Sequence, residues 1–228
     1  LTTPNDQTAL EFLYTHNTTH FLIDSTDIGK YSAFSSIGAD ENNDRLSYIP
    51  TLFMDTSSTQ ELRDGILYVY PTRTSLDETI TFTNNETNIT INPSNSLLAA
   101  ILVQENNSSI LEQPRAVFIQ QNGAQVQIPL RYLYFNKKLY DFNSGIESGL
   151  FLMETINPQN NGIQKNDKGA GFYLSKRTVN SLLARKYLFG EEGSFKLVHS
   201  QPSAITENLR SQGIEVDDFA YFQGNFLG

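Results

Sequence analysis

From Ser47 onward the apolar residues tend to fall on alternate positions, and this period of two restricts the fold more than any other feature of the chain. "SYIPTLFMD" (Ser47–Asp55), "ILYVYPT" (Ile66–Thr72), "TITFTNNETNITI" (Thr79–Ile91) and "RAVFIQQNGAQVQIPL" (Arg115–Leu130) read as strands broken by turns. Asn122-Gly123, between "VFIQQ" and "AQVQI", is the clearest hairpin signal, because both residues accept positive φ. "TFTNNETNITI" reads as a second hairpin with a polar tip. No repeat period recurs, so neither a propeller nor a solenoid is indicated.

The ends of the chain read differently. "PNDQTALEFLYTHN" (Pro4–Asn17) is a short amphipathic helix and "HFLID" (His20–Asp24) a strand leading into a second helix. "LRYLYFNKKLYDF" (Leu130–Phe142) is aromatic, "GLFLMETI" (Gly149–Ile156) a strand, and "NPQNNGIQKNDKGAG" (Asn157–Gly171) a long polar loop. "SKRTVNSLLARKYLFGEEG" carries the strongest helix signature, with Ser175 as cap, Val179, Leu182, Leu183 and Leu188 as its apolar set, and Gly190 as stop. "SFKLVHS" (Ser194–Ser200) follows as a strand, "SAITENLRSQG" (Ser203–Gly213) as a short helix, and "DFAYFQGNFLG" (Asp218–Gly228) as a closing strand. The expectation is an α+β fold: a mixed α/β core of residues 1–56 and 130–228 with helices at both ends, and a β-rich module at 57–129 inserted between them.

Composition narrows the function. A net charge of −9 with no Lys/Arg cluster argues against nucleic acid or an anionic membrane surface as partner. The chain has no cysteine, which excludes a disulfide scaffold, thiolate zinc sites and a Cys nucleophile. Its longest mostly apolar run, Ser96–Val103, is too short to cross a bilayer. "LTTPNDQT" is not a signal peptide, and Leu1 in place of Met suggests a mature product or an excised piece.

Few side chains form a chemical pattern. Asp27, Lys30 and Phe34 stand at i, i+3 and i+7, on one face of the helix after "HFLID", with Asp24 at the junction. Such a pair can hold a small ligand group. It is also what an ordinary surface ion pair looks like, worth a few tenths of a kcal/mol. His16 and His20 have metal-ligand spacing, but "NTT" between them interrupts the helix and no acid accompanies them. His199 stands alone, and Glu191-Glu192 and Asp217-Asp218 read as solvated turn charges. There is no Gly-x-Ser-x-Gly elbow, and "GAGF" (Gly169–Phe172) is too short for a dinucleotide loop. Acceptor triplets Asn-X-Ser/Thr occur at Asn17, Asn85, Asn88, Asn106 and Asn107.

Three stretches together carry a family likeness: "THFLIDSTDIGKYSAFSSIGADENNDR" (Thr19–Arg45), "IPLRYLYFNKKLYDFNSG" (Ile128–Gly145) and "YLSKRTVNSLLARKYLFGEEGSFKLVHS" (Tyr173–Ser200). Their order resembles the C-terminal soluble part of archaeal oligosaccharyltransferase catalytic subunits, which move a lipid-linked glycan onto the Asn of Asn-X-Ser/Thr. The resemblance implies that Asp27 and Lys30 occupy the first two positions of a helical Asp-x-x-Lys-x-x-x-Met/Ile signature beside the acceptor pocket. Phe34 takes the third position, where the family carries Met or Ile. The family's Trp-Trp-Asp motif is absent from a chain without Trp, and its metal-binding acids belong to membrane spans that this chain does not contain. The implied role is therefore an extracytoplasmic domain of a membrane enzyme, inactive alone, with an acceptor polypeptide and a lipid-linked oligosaccharide as partners. Catalytic residues and a cofactor are not implied within the chain; the parent enzyme would need a divalent metal such as Mn or Mg. Two rival functions remain from the residues alone: a β-rich binding or adhesion module, and an acidic hydrolase using dispersed carboxylates.

Overall fold

A computed structural model describes residues 1–38, 49–76, 78–84, 87–159 and 162–223, and strands dominate it. Ten strands form one sheet in the order β1-β11-β10-β8-β7-β6-β3-β2, with β9 added on β8 and β12 on β10. Their ranges are β1 Thr51–Phe53, β2 Gln60–Leu62, β3 Gly65–Ser75, β6 Ser96–Asn106, β7 Arg115–Gln120, β8 Gln125–Phe135, β9 Lys138–Asp141, β10 Ile146–Gln159, β11 Gly162–Leu174 and β12 Tyr221–Phe222. A separate hairpin pairs β4 (Ile80–Asn84) with β5 (Thr87–Ile91). The helices are α1 (Asp6–Thr15), α2 (Ser25–Gly38), α3 (Lys176–Asn180) and α4 (Ala204–Ser211). The α+β expectation with helices at both ends is thus corrected to a β-dominated fold, 44% strand against 19% helix.

The sheet curls until its ends meet. The Asp55 N–H donates to the Val69 carbonyl at 2.9 Å, and the Tyr70 hydroxyl to the Lys168 carbonyl at 2.7 Å. Between the two halves lies one core, with Tyr70, Leu98, Ile101, Phe118, Ile128 and Leu133 among its fully buried members. Each such side chain contributes about 1.5–3 kcal/mol of burial. β8 joins the halves: its first residues pair with β7, and its last pair with β9 on one side and β10 on the other. It therefore runs through the boundary expected at 129/130, and the core draws on residues from both sides of it.

β10 is buried on both faces. Ile146, Leu150 and Leu152 enter the inner core, while Phe151 and Met153 face outward to a second apolar layer. There Phe172 and Leu174 of β11 meet Val179, Leu183 and Leu188. A register shift between Met153 and Thr155 brings Thr155 against Gly169, where an added Cβ would lie 1.9 Å from the Thr155 hydroxyl. Only glycine fits that contact.

Several local expectations change for identifiable reasons. The polar run 157–171 is not a loop; its described residues form the ends of β10 and β11, paired from Asn157↔Gln164 to Gln159↔Gly162. Both faces of that projecting hairpin are largely wet, so no apolar alternation marks it. The helix expected from Ser175 to Gly190 is interrupted at Ser181, whose ψ of 154° is extended. Leu182 and Leu183 donate their N–H groups to the carbonyls of Thr3 and Leu1, at 2.9 and 3.0 Å, and the chain resumes as a π-helical turn, Leu183–Leu188. "HFLID" and "SFKLVHS" join no sheet; the rings of Phe21 and Phe195 meet edge to face at 5.1 Å. The 122–123 hairpin, the β4–β5 hairpin and α4 with its positive-φ Gly213 lie where the sequence places them. The break at 38–44 falls almost wholly outside the described residues.

Candidate functional site

The first turn of α2 is built by reciprocal capping. Asp24 accepts the Thr26 N–H at 2.7 Å and the Thr26 hydroxyl at 2.5 Å, while Asp27 accepts the Asp24 N–H at 3.1 Å. Two helix-start donors are satisfied in this way, as in a capping box that uses acids at both positions. The Thr26 hydrogen bonds, with Lys30 in support, hold the Asp24 carboxyl below its usual range. Lys30 donates to the Thr26 hydroxyl at 2.6 Å and lies 3.6 Å from Asp27. The Lys30 side chain is 56% exposed and that of Asp27 only 13%. The sequence-derived pair is therefore together and fixed. Phe34 lies on the same helix, but its side chain falls outside the described ones.

Next to this turn the outer face of the sheet is open. A cleft of about 500 Å³ has Thr51, Met153 and Phe172 as its floor, Ile28 and Gly29 of α2 on one side, and Ile205 on the other. Ser25, Ile49, Ser203 and the run from Asp218 to Phe222 complete it. Asp27 and Lys30 flank Ile28 and Gly29 in sequence without lining the cleft themselves. Ile28 anchors the helix in the outer apolar layer. Asp218 lines the cleft and is paired with Arg210 at 2.8 Å and with Lys137 at 3.8 Å. Burial raises the Tyr187 hydroxyl above its ordinary pKa, and Asp24, Asp27 and Asp218 raise it further. The cleft walls come from residues nearly 200 positions apart, so no local sequence signal could have assembled them.

A second cleft, about 520 Å³, opens beneath α4 and holds charge of both signs. Its groups are already engaged. Glu154 meets Lys165 at 2.7 Å and accepts the Asp217 N–H at 3.0 Å, and Arg210 donates to the Val216 carbonyl and to Asp218. The Glu191-Glu192 and Asp217-Asp218 pairs also serve local structure, Glu191 through Arg185 at 2.6 Å and Asp218 through Arg210 at 2.8 Å. His16 is exposed, its Nδ1 2.8 Å from the Phe12 carbonyl; His20 and His199 are exposed as well.

Among the described residues no three His, Asp or Glu side chains converge to hold a metal ion. No helix among the described residues is long and apolar enough to cross a membrane. No family model matches the chain, and no curated protein or solved structure matches it.

Proposed function

We propose that this chain is the extracytoplasmic, acceptor-binding part of a membrane oligosaccharyltransferase for protein N-glycosylation, and that it transfers nothing by itself. The observation that carries this reading is the position of the Asp27–Lys30 turn, locked by its own cap and flanking an open, largely apolar cleft. The sequence likeness over Thr19–Arg45 and Tyr173–Ser200 supports the same assignment. Ile28, Met153, Phe172 and Ile205 offer apolar contact to a threonine methyl.

The test is calorimetric. Peptides containing Asn-Ala-Thr, Asn-Ala-Ser and Asn-Ala-Gly are titrated into the purified chain. Burying one extra methyl is worth up to about 0.8 kcal/mol, so the Thr peptide should bind roughly fourfold more tightly than the Ser peptide, with Gly weakest. Equal affinity for all three sinks the proposal, as does glycan transfer by the chain alone.

A second reading, a β-rich binding or adhesion module without catalytic role, draws on one observation. Asp27 and Lys30 make their hydrogen bonds within their own helix turn, which a purely structural cap would also do. Binding of a glycan or calcium that is indifferent to Lys30→Ala would favour it.

A further inference from the structure

Four of the five acceptor triplets have an asparagine among the described residues, and the fold treats them unequally. Asn88 lies on β5, paired with Thr83, and its side-chain oxygen accepts the Thr83 hydroxyl at 2.7 Å. Asn17 is exposed at the end of α1, and the Thr19 hydroxyl that completes its triplet lies 2.9 Å from His20 Nδ1. Asn106 is half-buried at the end of β6, where its side-chain oxygen accepts the N–H groups of Ser108 and Ile110, at 2.9 and 3.1 Å. Asn107, the next residue, is exposed at the tip of the turn that Asn106 ties together. Its amide nitrogen makes one long contact, 3.5 Å to the Arg63 carbonyl, and Ser109 makes no side-chain hydrogen bond among the described residues. The overlapping triplets Asn106-Asn107-Ser108 and Asn107-Ser108-Ser109 are thus separated by the structure.

We infer that Asn107 is an N-glycosylation site of this chain, in preference to Asn106, Asn17 and Asn88. An acceptor asparagine must leave its surroundings and present its amide nitrogen and the hydroxyl two residues on to a transferase. Asn107 can do so at the cost of one marginal side-chain hydrogen bond, beside a backbone bond of 3.2 Å to the Asp64 carbonyl, whereas Asn106 would have to give up the two side-chain bonds that shape the turn. In the transfer, the bond from glycan C1 to the phosphate oxygen of a lipid-linked donor breaks. A bond from C1 to Asn107 Nδ2 forms, that nitrogen loses one proton, and the lipid phosphate leaves with the electron pair. A glycan at this tip would also lie beside Ile110, an apolar side chain 59% exposed. Occurrence in the cell rests on the extracytoplasmic address proposed above.

The folded chain is incubated with a detergent-solubilised, active oligosaccharyltransferase, its lipid-linked glycan and Mn, beside a free Asn-Ala-Thr peptide as internal control. Intact mass and peptide mapping read the product. The expected result is one glycan increment, mapped to Asn107, lost in Asn107→Gln and in Ser109→Ala and retained in Ser108→Ala, which removes only the Asn106 triplet. Unfolding the chain in urea before a brief dilution into the reaction should add increments at other triplets. Modification of the folded chain at Asn106, Asn17 or Asn88 with Asn107 bare overturns the inference, as does an unmodified chain beside a modified control peptide. Because an external enzyme performs the transfer, these outcomes are independent of whether the cleft beside α2 binds acceptors.

Discussion

Phe118, Ile128 and Leu133 lie between the two halves of the curled sheet with no exposed surface, whereas α1 buries none of its residues. The sheet is held by apolar contact on both faces of β10. α1 is held largely by charge: Asp6 lies 3.0 Å from both Arg185 and Lys186, and Arg185 continues to Glu191 at 2.6 Å. α2 is anchored by Ile28 in the outer apolar layer, and its first turn is organised by its own cap.

That contrast is most easily broken in the core. Phe118→Ala should cost about 3–5 kcal/mol and lower the urea midpoint with little change in slope. A loss under 1 kcal/mol would mean the two sheet halves are not packed as described. Gly169→Ala comes next: the new Cβ would meet Thr155, and overpacking of this kind costs about 1–3 kcal/mol. Thr155→Ala in the same chain should recover part of that loss, and failure to do so would place the strain elsewhere.

At the charged flank the effects are smaller and local. Asp6→Asn should cost about 1 kcal/mol and speed amide exchange in α1 while leaving β10 protected. Burial alone would raise the Asp6 pKa, but Lys186 and Arg185 outweigh it and hold the carboxyl below its ordinary 3.8. A depressed folded value means this stabilisation is complete above the unfolded pKa and is lost as pH falls through the folded one. α1 exchange should therefore accelerate below about pH 4 in the wild type and show a weaker acid response in Asp6→Asn. The smallest change belongs to Asp24→Ala, which should fray only the first turn of α2, seen as faster exchange at Thr26 and Asp27.

The hairpins were legible because they rest on local chemistry: turn residues at 122–123 and alternating side chains with one wet face. α4 was legible as the short helix of "SAITENLRSQG", ending at Gly213. The outer arms of β10 and β11 were not, since they have solvent on both sides and show no period of two, whereas Gly149–Ile156 in the middle of β10 already reads as a strand. The interruption at Ser181 was also hidden, because the carbonyls that cause it belong to Leu1 and Thr3. Asp27 and Lys30 could be paired from spacing alone. The cleft beside them could not, because Phe172, Ile205 and Phe219 reach it only through tertiary folding.

The proposed function depends on where an acceptor peptide sits, and backbone NMR shifts recorded during titration with an Asn-Ala-Thr peptide locate it directly. Ile28, Gly29, Phe172 and Ile205 should move together, and Lys30→Ala should weaken the response. Shifts confined to the charged cleft of Glu154, Lys165 and Arg210, or no shifts at all, would contradict the proposed function.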